Sequence, residues 1–257
     1  MPAKPSRFIW YELMTTDIAA AARFYGDVVG WSMSSTGAPG MDYRQWSIAG
    51  EMIGGAMTIP PDAAEHGMRP VWLGYLNVAD VDACVAQIVS DGGASHMPAW
   101  DVPGVGRMAM VSDPQGASFY VMAPIGEGVS PSFAPRRRGH GGWNELHTSD
   151  WHAALEFYTR HFGWTKSDAV DMGPMGTYQL FAAGGDAIGG MMNSPASPRP
   201  MWLYYFNVDD IHSARARVES AGGVVLNGPH EVPGGDWVVQ AQDPQGAMFA
   251  LVASKGA

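Results

Sequence analysis

Apolar and polar positions in this chain follow two alternating rhythms, and the order of the rhythms repeats. Phe8 to Thr15 is short and rich in aromatic and large apolar residues, the composition of a strand. From Ile18 the spacing turns helical, with Ile18, Ala21, Ala22, Tyr25, Val28 and Val29 on one stripe. Asp17 stands before it, where a carboxylate accepts from the orphan amides of a first turn, and Gly30 stands where a helix ends. Trp31–Ser35, Tyr43–Ala49 and Ile53–Thr58 then read as three strands separated by glycine- and proline-bearing turns. The predicted order is β-α-β-β-β.

After a connector at 60–70 the same order restarts. Val71–Val78 predicts a strand, Asp80 a cap, and Val81, Cys84, Val85 and Ile88 a helix face ending at Gly92-Gly93. Three strands are expected near Ala94–Met97, Gly106–Ser112 and Ser118–Met122, the last two joined by an Asp113-Pro114-Gln115-Gly116 turn. Ile125–Gly139 shows little periodicity and reads as a linker. Beyond it the plan is copied. Gly142–His147 is a strand, Asp150 caps a helix through Leu155, Tyr158 and Phe162, and three strands run to about Asn193. Met201–Val208 opens a fourth module, Asp210 caps its helix, and the pattern finishes near Ser254.

The copying is literal in places. Trp10–Trp31 aligns with Trp143–Trp164 without a gap at a displacement of 133, and 11 of the 22 pairs are identical. Gly54-Gly55 recurs as Gly189-Gly190, Pro70-Val71-Trp72-Leu73 as Pro200-Met201-Trp202-Leu203, and Asp113-Pro114-Gln115-Gly116 as Asp243-Pro244-Gln245-Gly246. Such a period is too long for a solenoid and implies a duplicated domain. The expected class is α+β: four βαβββ modules in two tandem domains, 7–124 and 140–254, joined by a linker at 125–139. The sheets should be mixed and curved in pairs around clefts.

Composition narrows the function. A net charge of -10 argues against a nucleic-acid surface. The run Arg136-Arg137-Arg138 falls in the linker and reads as solvated. The single cysteine, Cys84, excludes an internal disulfide, suits a reducing compartment, and sits on an apolar helix face as a buried residue. No apolar run approaches the ~20 residues of a membrane span, and the first residues do not read as a signal peptide. The expectation is a cytoplasmic protein with a small-molecule partner and no nucleic acid or membrane; a homodimer stays open. No phosphate-binding glycine motif of the Walker or dinucleotide type is present, and no cofactor is expected.

A strand, an Asp cap, an apolar helix ending in Phe-Tyr, a Gly-Trp pair and a later Asp-Pro-Gln-Gly turn together resemble the vicinal-oxygen-chelate superfamily of glyoxalases, bleomycin-resistance proteins and extradiol dioxygenases. More narrowly, the W-x-E-L start (Trp10–Leu13, Trp143–Leu146), the F-Y-x-x-x-x-G-W helix end and Val102-Pro103-Gly104-Val105-Gly106-Arg107 resemble tandem two-domain bacterial members labelled glyoxalase-like or hydroxylase. The resemblance implies a divalent metal on strand residues seven before each capping Asp and seven after the Asp of the DP-x-G turn. Those positions hold Trp10, Leu73, Trp143, Leu203, Tyr120 and Ala250. None is a ligand of the type such a site requires, so no metal is expected there.

Strand alternation names what lines the cleft instead. Glu12 and Met14 share the face of Trp10, and Glu145 and His147 that of Trp143. Tyr75 and Asn77 share the face of Leu73, and Tyr205 and Asn207 that of Leu203. With Tyr120 these make mostly apolar and aromatic walls carrying few polar groups, the composition of a small-molecule pocket. Glu12 and Glu145 serve equally well as structural acceptors or as general bases. Glu145 and His147, two apart on one face, form an acid–base pair that the first half, with Met14, lacks; a third metal ligand would have to come from His230 or Asp236. His140, His152, His161 and His212 fall in the linker or on helices and read as solvated. Two functions follow: a metal-independent binder of a small apolar or aromatic ligand, or a lyase, isomerase or oxygenase-type enzyme using Glu12 or Glu145 as general base, with or without a metal at Glu145 and His147.

Overall fold

All four aspartates cap helices as the pattern predicts. In the computed structural model, which describes residues 4–35, 42–126, 128–194 and 199–255, Asp17, Asp80, Asp150 and Asp210 have extended backbones. Their side chains accept from the amides of Ala20, Ala83, His152 with Ala153, and Ser213. Gly30 (φ 91°) and Gly163 (φ 68°) close two of these helices in the left-handed conformation that suits glycine.

The first module runs β1 (Phe8–Thr15), α1 (Ile18–Val29), β2 (Ser32–Ser35), β3 (Tyr43–Ile48) and β4 (Glu51–Thr58). The connector holds a short helix that the sequence did not announce, α2 (Pro61–Glu65), started by Pro61 at its first position. The second module is β5 (Val71–Asn77), α3 (Val81–Ser90), β6 (Ala94–Ser95), β7 (Trp100–Val102), β8 (Gly106–Ser112) and β9 (Ser118–Pro124). The third is β10 (Gly141–Thr148), α4 (Trp151–Phe162), β11 (Thr165–Asp171), β12 (Thr177–Ala182) and β13 (Ala187–Asn193). The fourth is β14 (Met201–Asn207), α5 (Ile211–Ser220), β15 (Val224–Glu231), β16 (Trp237–Gln242) and β17 (Met248–Ala253).

The strands hydrogen-bond in the orders β2-β3-β4-β1-β5-β9-β8-β6, with β7 also on β8, and β11-β12-β13-β10-β14-β17-β16-β15. In every module the first strand pairs parallel with the last, while the remaining pairs around it are antiparallel. One expectation needs correction: α3 is followed by four strand segments, not three. β6 and β7 are the halves of one strand interrupted at residues 96–99; β15 at the same place, which itself contains Pro229, stays continuous through two register shifts. Within the helices, Phe24 is buried, whereas Ala22 and Val85 are only half-buried.

The chain resolves into two compact units, each joining parts of both halves. One holds the residues up to Ile9, Gly74–Val129 and Asn144–Trp202, so modules two and three fold together. The other holds Trp10–Leu73, Ser130–Trp143 and the residues from Leu203 on.

Each unit is built on the same buried polar chain. In the first, Trp202 Nε1 donates to Tyr158 Oη (3.2 Å) and Tyr158 Oη donates to Asp113 Oδ2 (3.0 Å). Asp113 Oδ1 accepts from the amides of Gln115 and Ala117, closing the Asp-Pro-Gln-Gly turn. In the second, Trp72 donates to Tyr25 (2.8 Å), Tyr25 to Asp243 (3.0 Å), and Asp243 Oδ1 accepts from Gln245 and Ala247. Three motifs that recur separately along the chain are thus one structural device made twice. Burial pushes both carboxyls above their ordinary range, against the pull of these donors, and pushes the Tyr25 phenol well above its own.

From Ser130 on, the segment expected as a linker belongs to the second unit, while its first residues belong to the first; residue 127 lies outside the described residues. Asn207 Nδ2 donates to the carbonyls of Ala134 and His140, and its Oδ1 accepts from the Arg136 amide. Arg137 pairs with Glu51 and Arg138 with Asp209, so these exposed cations are tethered. His140 is buried, its Nδ1 donating to Pro131 O at 2.6 Å, and is not solvated as expected. Neither is His161, whose side chain is 2% exposed against Asp91. Cys84 is buried as expected, and its thiol is raised to about 11 by burial first and then by Asp80.

Candidate functional site

A polar cluster stands on β10 and its neighbours, within the first unit. Strand alternation puts Glu145 and His147 on one face, as predicted, and β13 places Gly190 opposite Glu145. Tyr178 of β12 lies across that glycine: a Cβ at Gly190 would overlap the tyrosine ring. The missing side chain lets Tyr178 Oη reach Glu145 Oε2 at 2.9 Å. His147 Nε2 meets Glu145 Oε1 at 2.7 Å, and His147 Nδ1 meets Ser194 Oγ at 2.6 Å. Glu145 is 9% exposed and His147 20%, so the imidazole is the wetter end.

The proton positions follow from donor chemistry. An ionised carboxylate only accepts, so Nε2 carries hydrogen toward Glu145. In the neutral ring Nδ1 is then an acceptor, and the Ser194 hydroxyl donates to it. With the ring neutral, hydrogen bonds run from Ser194 through His147 to Glu145, while Tyr178 donates to the second carboxylate oxygen.

The first half is assembled differently. Glu12 is 3% exposed and stands opposite Gly55, the counterpart of Gly190, and Tyr43 lies over that glycine as Tyr178 does over its own. Here Trp10 Nε1 donates to Tyr43 Oη at 2.9 Å. Met14, at the place of His147, is buried. Tyr75 stacks on Tyr120 at 4.3 Å between centroids with Trp100 edge-on at 6.1 Å. In module four Ala250 stands opposite Tyr205, whose Oη accepts from Gln240 Nε2 at 2.9 Å.

The other predicted residues have defined places. Asn77 Oδ1 accepts from the Arg7 amide at 2.6 Å, and Asn207 is the residue that holds 134–140, so both amides bind backbone. Trp143 is half-buried on β10. Leu73, Leu203 and Ala250 are buried apolar residues. Asp236 Oδ1 accepts from the Lys255 amide, and His230 pairs in register with Val238. Among the described residues, no three His, Cys, Asp or Glu side chains are grouped to hold a metal ion. No helix among them is long and apolar enough to cross a membrane.

Tyr43, Tyr178 and Ser194 were missed in the sequence. A signal existed for the tyrosines: each stands twelve residues before the second glycine of the recurrent Gly-Gly pair. Ser194 has none, because its counterpart in the first half is Ile59.

Comparison with known proteins agrees with this architecture. The family described as Glyoxalase/Bleomycin resistance protein/Dioxygenase superfamily matches residues 7–121 and again 142–251. The chain is 35% identical over 246 residues to CFP32 of Mycobacterium bovis, provisionally named a glyoxylase, covering 95% of this chain and 93% of that one. It is 31% identical over 262 residues to the anthracycline biosynthesis protein DnrV of Streptomyces peucetius, covering 96% and 93%. Among solved structures, the Mn(II)-bound glyoxalase from Novosphingobium aromaticivorans superposes with a TM-score of 0.69 at 16% identity, over 97% of this chain and 82% of that one. The 2,3-dioxygenase LapB from Pseudomonas sp. KL28 gives 0.67 at 12%, over 99% and 94%. At such identities these structures speak for the fold alone. With the family matched over both halves and full-length relatives above 30% identity, the chain belongs to the glyoxalase/bleomycin resistance protein/dioxygenase superfamily.

Proposed function

We propose that this chain binds a small, largely apolar or aromatic organic molecule without a metal, using the Glu145–His147–Tyr178 cluster as its polar contact. The observation that carries the reading is the hydrogen-bonded cluster itself, a carboxylate held on both oxygens beside a partly exposed imidazole. A first-row metal site normally needs three or more nitrogen, oxygen or sulfur ligands. The residues here do not fit one: Glu145 and His147 are two donors, already engaged with each other, and the strand positions that the family resemblance marks carry Trp10, Leu73, Tyr120, Trp143, Leu203 and Ala250. Two relatives bear the name of anthracycline biosynthesis proteins, which supports a planar polycyclic ligand over an aliphatic one.

Turnover is the second reading, and the directed chain Ser194–His147–Glu145 favours it. Neutral His147 can take a proton at Nδ1 through the serine hydroxyl, and Glu145 stabilises the imidazolium formed; such acid–base assistance is worth about 10²–10⁴-fold.

The test is a calorimetric titration of EDTA-treated protein with 1,8-dihydroxyanthraquinone. Saturable binding is expected without added metal, weakened by roughly 1–3 kcal/mol in Glu145→Gln, the cost of a lost charged hydrogen bond. Binding that appears only after Mn(II) or Zn(II) is restored would refute the metal-free reading.

A further inference from the structure

We propose that Ser194 is a base-activated nucleophile able to accept an acyl group from a small aryl ester. The proposal rests on the cluster facing a small organic molecule, as above, and adds a covalent step to it.

Two independent observations carry it. The first is the bonding of His147. Both ring nitrogens are engaged inside the protein, Nε2 with Glu145 and Nδ1 with Ser194, so proton exchange between Nδ1 and a ligand runs through the Ser194 hydroxyl. The reactive end of the chain is the Ser194 hydroxyl. A hydroxyl 2.6 Å from a base that is itself oriented by a carboxylate at 2.7 Å is the arrangement that activates a nucleophile. Tyr178 on Glu145 Oε2 keeps the carboxylate from turning away.

The second is a paired difference between the halves. The Ser194 amide donates to Thr148 O at 2.9 Å, and the Ile59 amide donates to Thr15 O at 2.9 Å, so these two positions correspond. Where the second half carries His147 and Ser194, the first carries Met14 and Ile59, both buried and apolar. A serine doing nothing but meeting solvent has no reason to be exchanged together with the histidine. A nucleophile and its base have one.

The step balances within the cluster. Ser194 Oγ bonds to the acyl carbon as its proton moves to His147 Nδ1, and Glu145 holds the imidazolium. The bond between the acyl carbon and the aryloxy oxygen then breaks, and the proton from Nδ1 leaves on the aryloxide as a phenol. Water, deprotonated by the same nitrogen, attacks the acyl-serine; the carboxylic acid departs and Ser194 regains its proton.

The experiment uses the full chain with two probes, a fluorophosphonate and 4-nitrophenyl acetate. Peptide mapping by mass spectrometry should find one phosphonyl adduct per chain, on the peptide containing Ser194, and nitrophenol release should show a burst approaching one equivalent. Labelling should slow by about 100-fold or more in His147→Gln, the usual scale of a lost general base. Ser194→Ala should abolish the burst, with thermal melts showing that both variants are folded. Folded wild-type protein without an adduct on Ser194 overturns the proposal whatever the variants do, and so does labelling of His147→Gln at the wild-type rate. Ligand that binds while Ser194 stays unlabelled sinks the nucleophile alone; labelling without anthraquinone binding sinks the binding reading alone.

Discussion

Replacing Tyr158 by Phe removes one oxygen from the middle of a buried chain and leaves the ring in place. Tyr158 has no exposed surface, and its hydroxyl serves both Asp113 Oδ2 at 3.0 Å and Trp202 Nε1 at 3.2 Å. Losing a hydrogen bond to a charged group costs roughly 1.5–3 kcal/mol, and an orphaned buried indole N–H about 1 kcal/mol more at this long distance. The expected loss is therefore about 2.5–4 kcal/mol, or roughly 5–16 °C in Tm for a chain of this size. The deficit should also depend on pH. Burial already raises the Asp113 pKa above its ordinary value of 3.8, and the Tyr158 hydroxyl opposes that rise. Because the folded value lies above the unfolded one, the contribution of Asp113 is fully present below the unfolded pKa and is lost as pH rises through the folded one. Without the hydroxyl the folded value climbs further, so Tyr158→Phe should cost more at about pH 7 than at about pH 4. Urea denaturation of both proteins at the two pH values measures this, with Tyr25→Phe as the matched change in the other unit. A Tm within about 2 °C of wild type, or a deficit that grows toward acid, would refute the account of the Trp–Tyr–Asp chain.

Gly190→Ala should force the Tyr178 ring off Glu145 and cost roughly 1–3 kcal/mol, the usual penalty of overpacking, read as a lowered Tm; a neutral effect would mean the close approach is not required. Burial is the main cause lowering the His161 pKa, with Asp91 opposing it, so this residue's contribution is present above the unfolded value near 6.5 and is lost as pH falls through the folded one. The fall in Tm between about pH 7 and pH 5 should accordingly be shallower in His161→Gln, and an unchanged slope would contradict that burial. Cys84, buried and held near 11, should react with Ellman's reagent only on unfolding; rapid reaction in buffer would show that its helix face opens in the native state.

Short-range features were legible in the chain itself. Four helix starts, two glycine stops and nearly every strand follow from capping chemistry and apolar spacing, because each depends on residues within a turn or two. The pairing of Glu145 with His147 was legible for the same reason, since alternation along one strand sets it. Only the tertiary structure decided what those residues meet. Tyr178 and Ser194 reach the pair across β13 and from its end, and nothing local marks a serine whose duplicate is isoleucine. His140 and His161 sit on segments whose polarity suggests solvent, yet packing against residues far along the chain buries them. The recurrent Trp, Phe-Tyr and Asp-Pro-Gln-Gly motifs announced a duplication but not their purpose, because each buried chain takes its tyrosine from one half and its aspartate from the other. Hydrogen bonds of that span leave no periodicity for a sequence to display, and they fix which modules fold together.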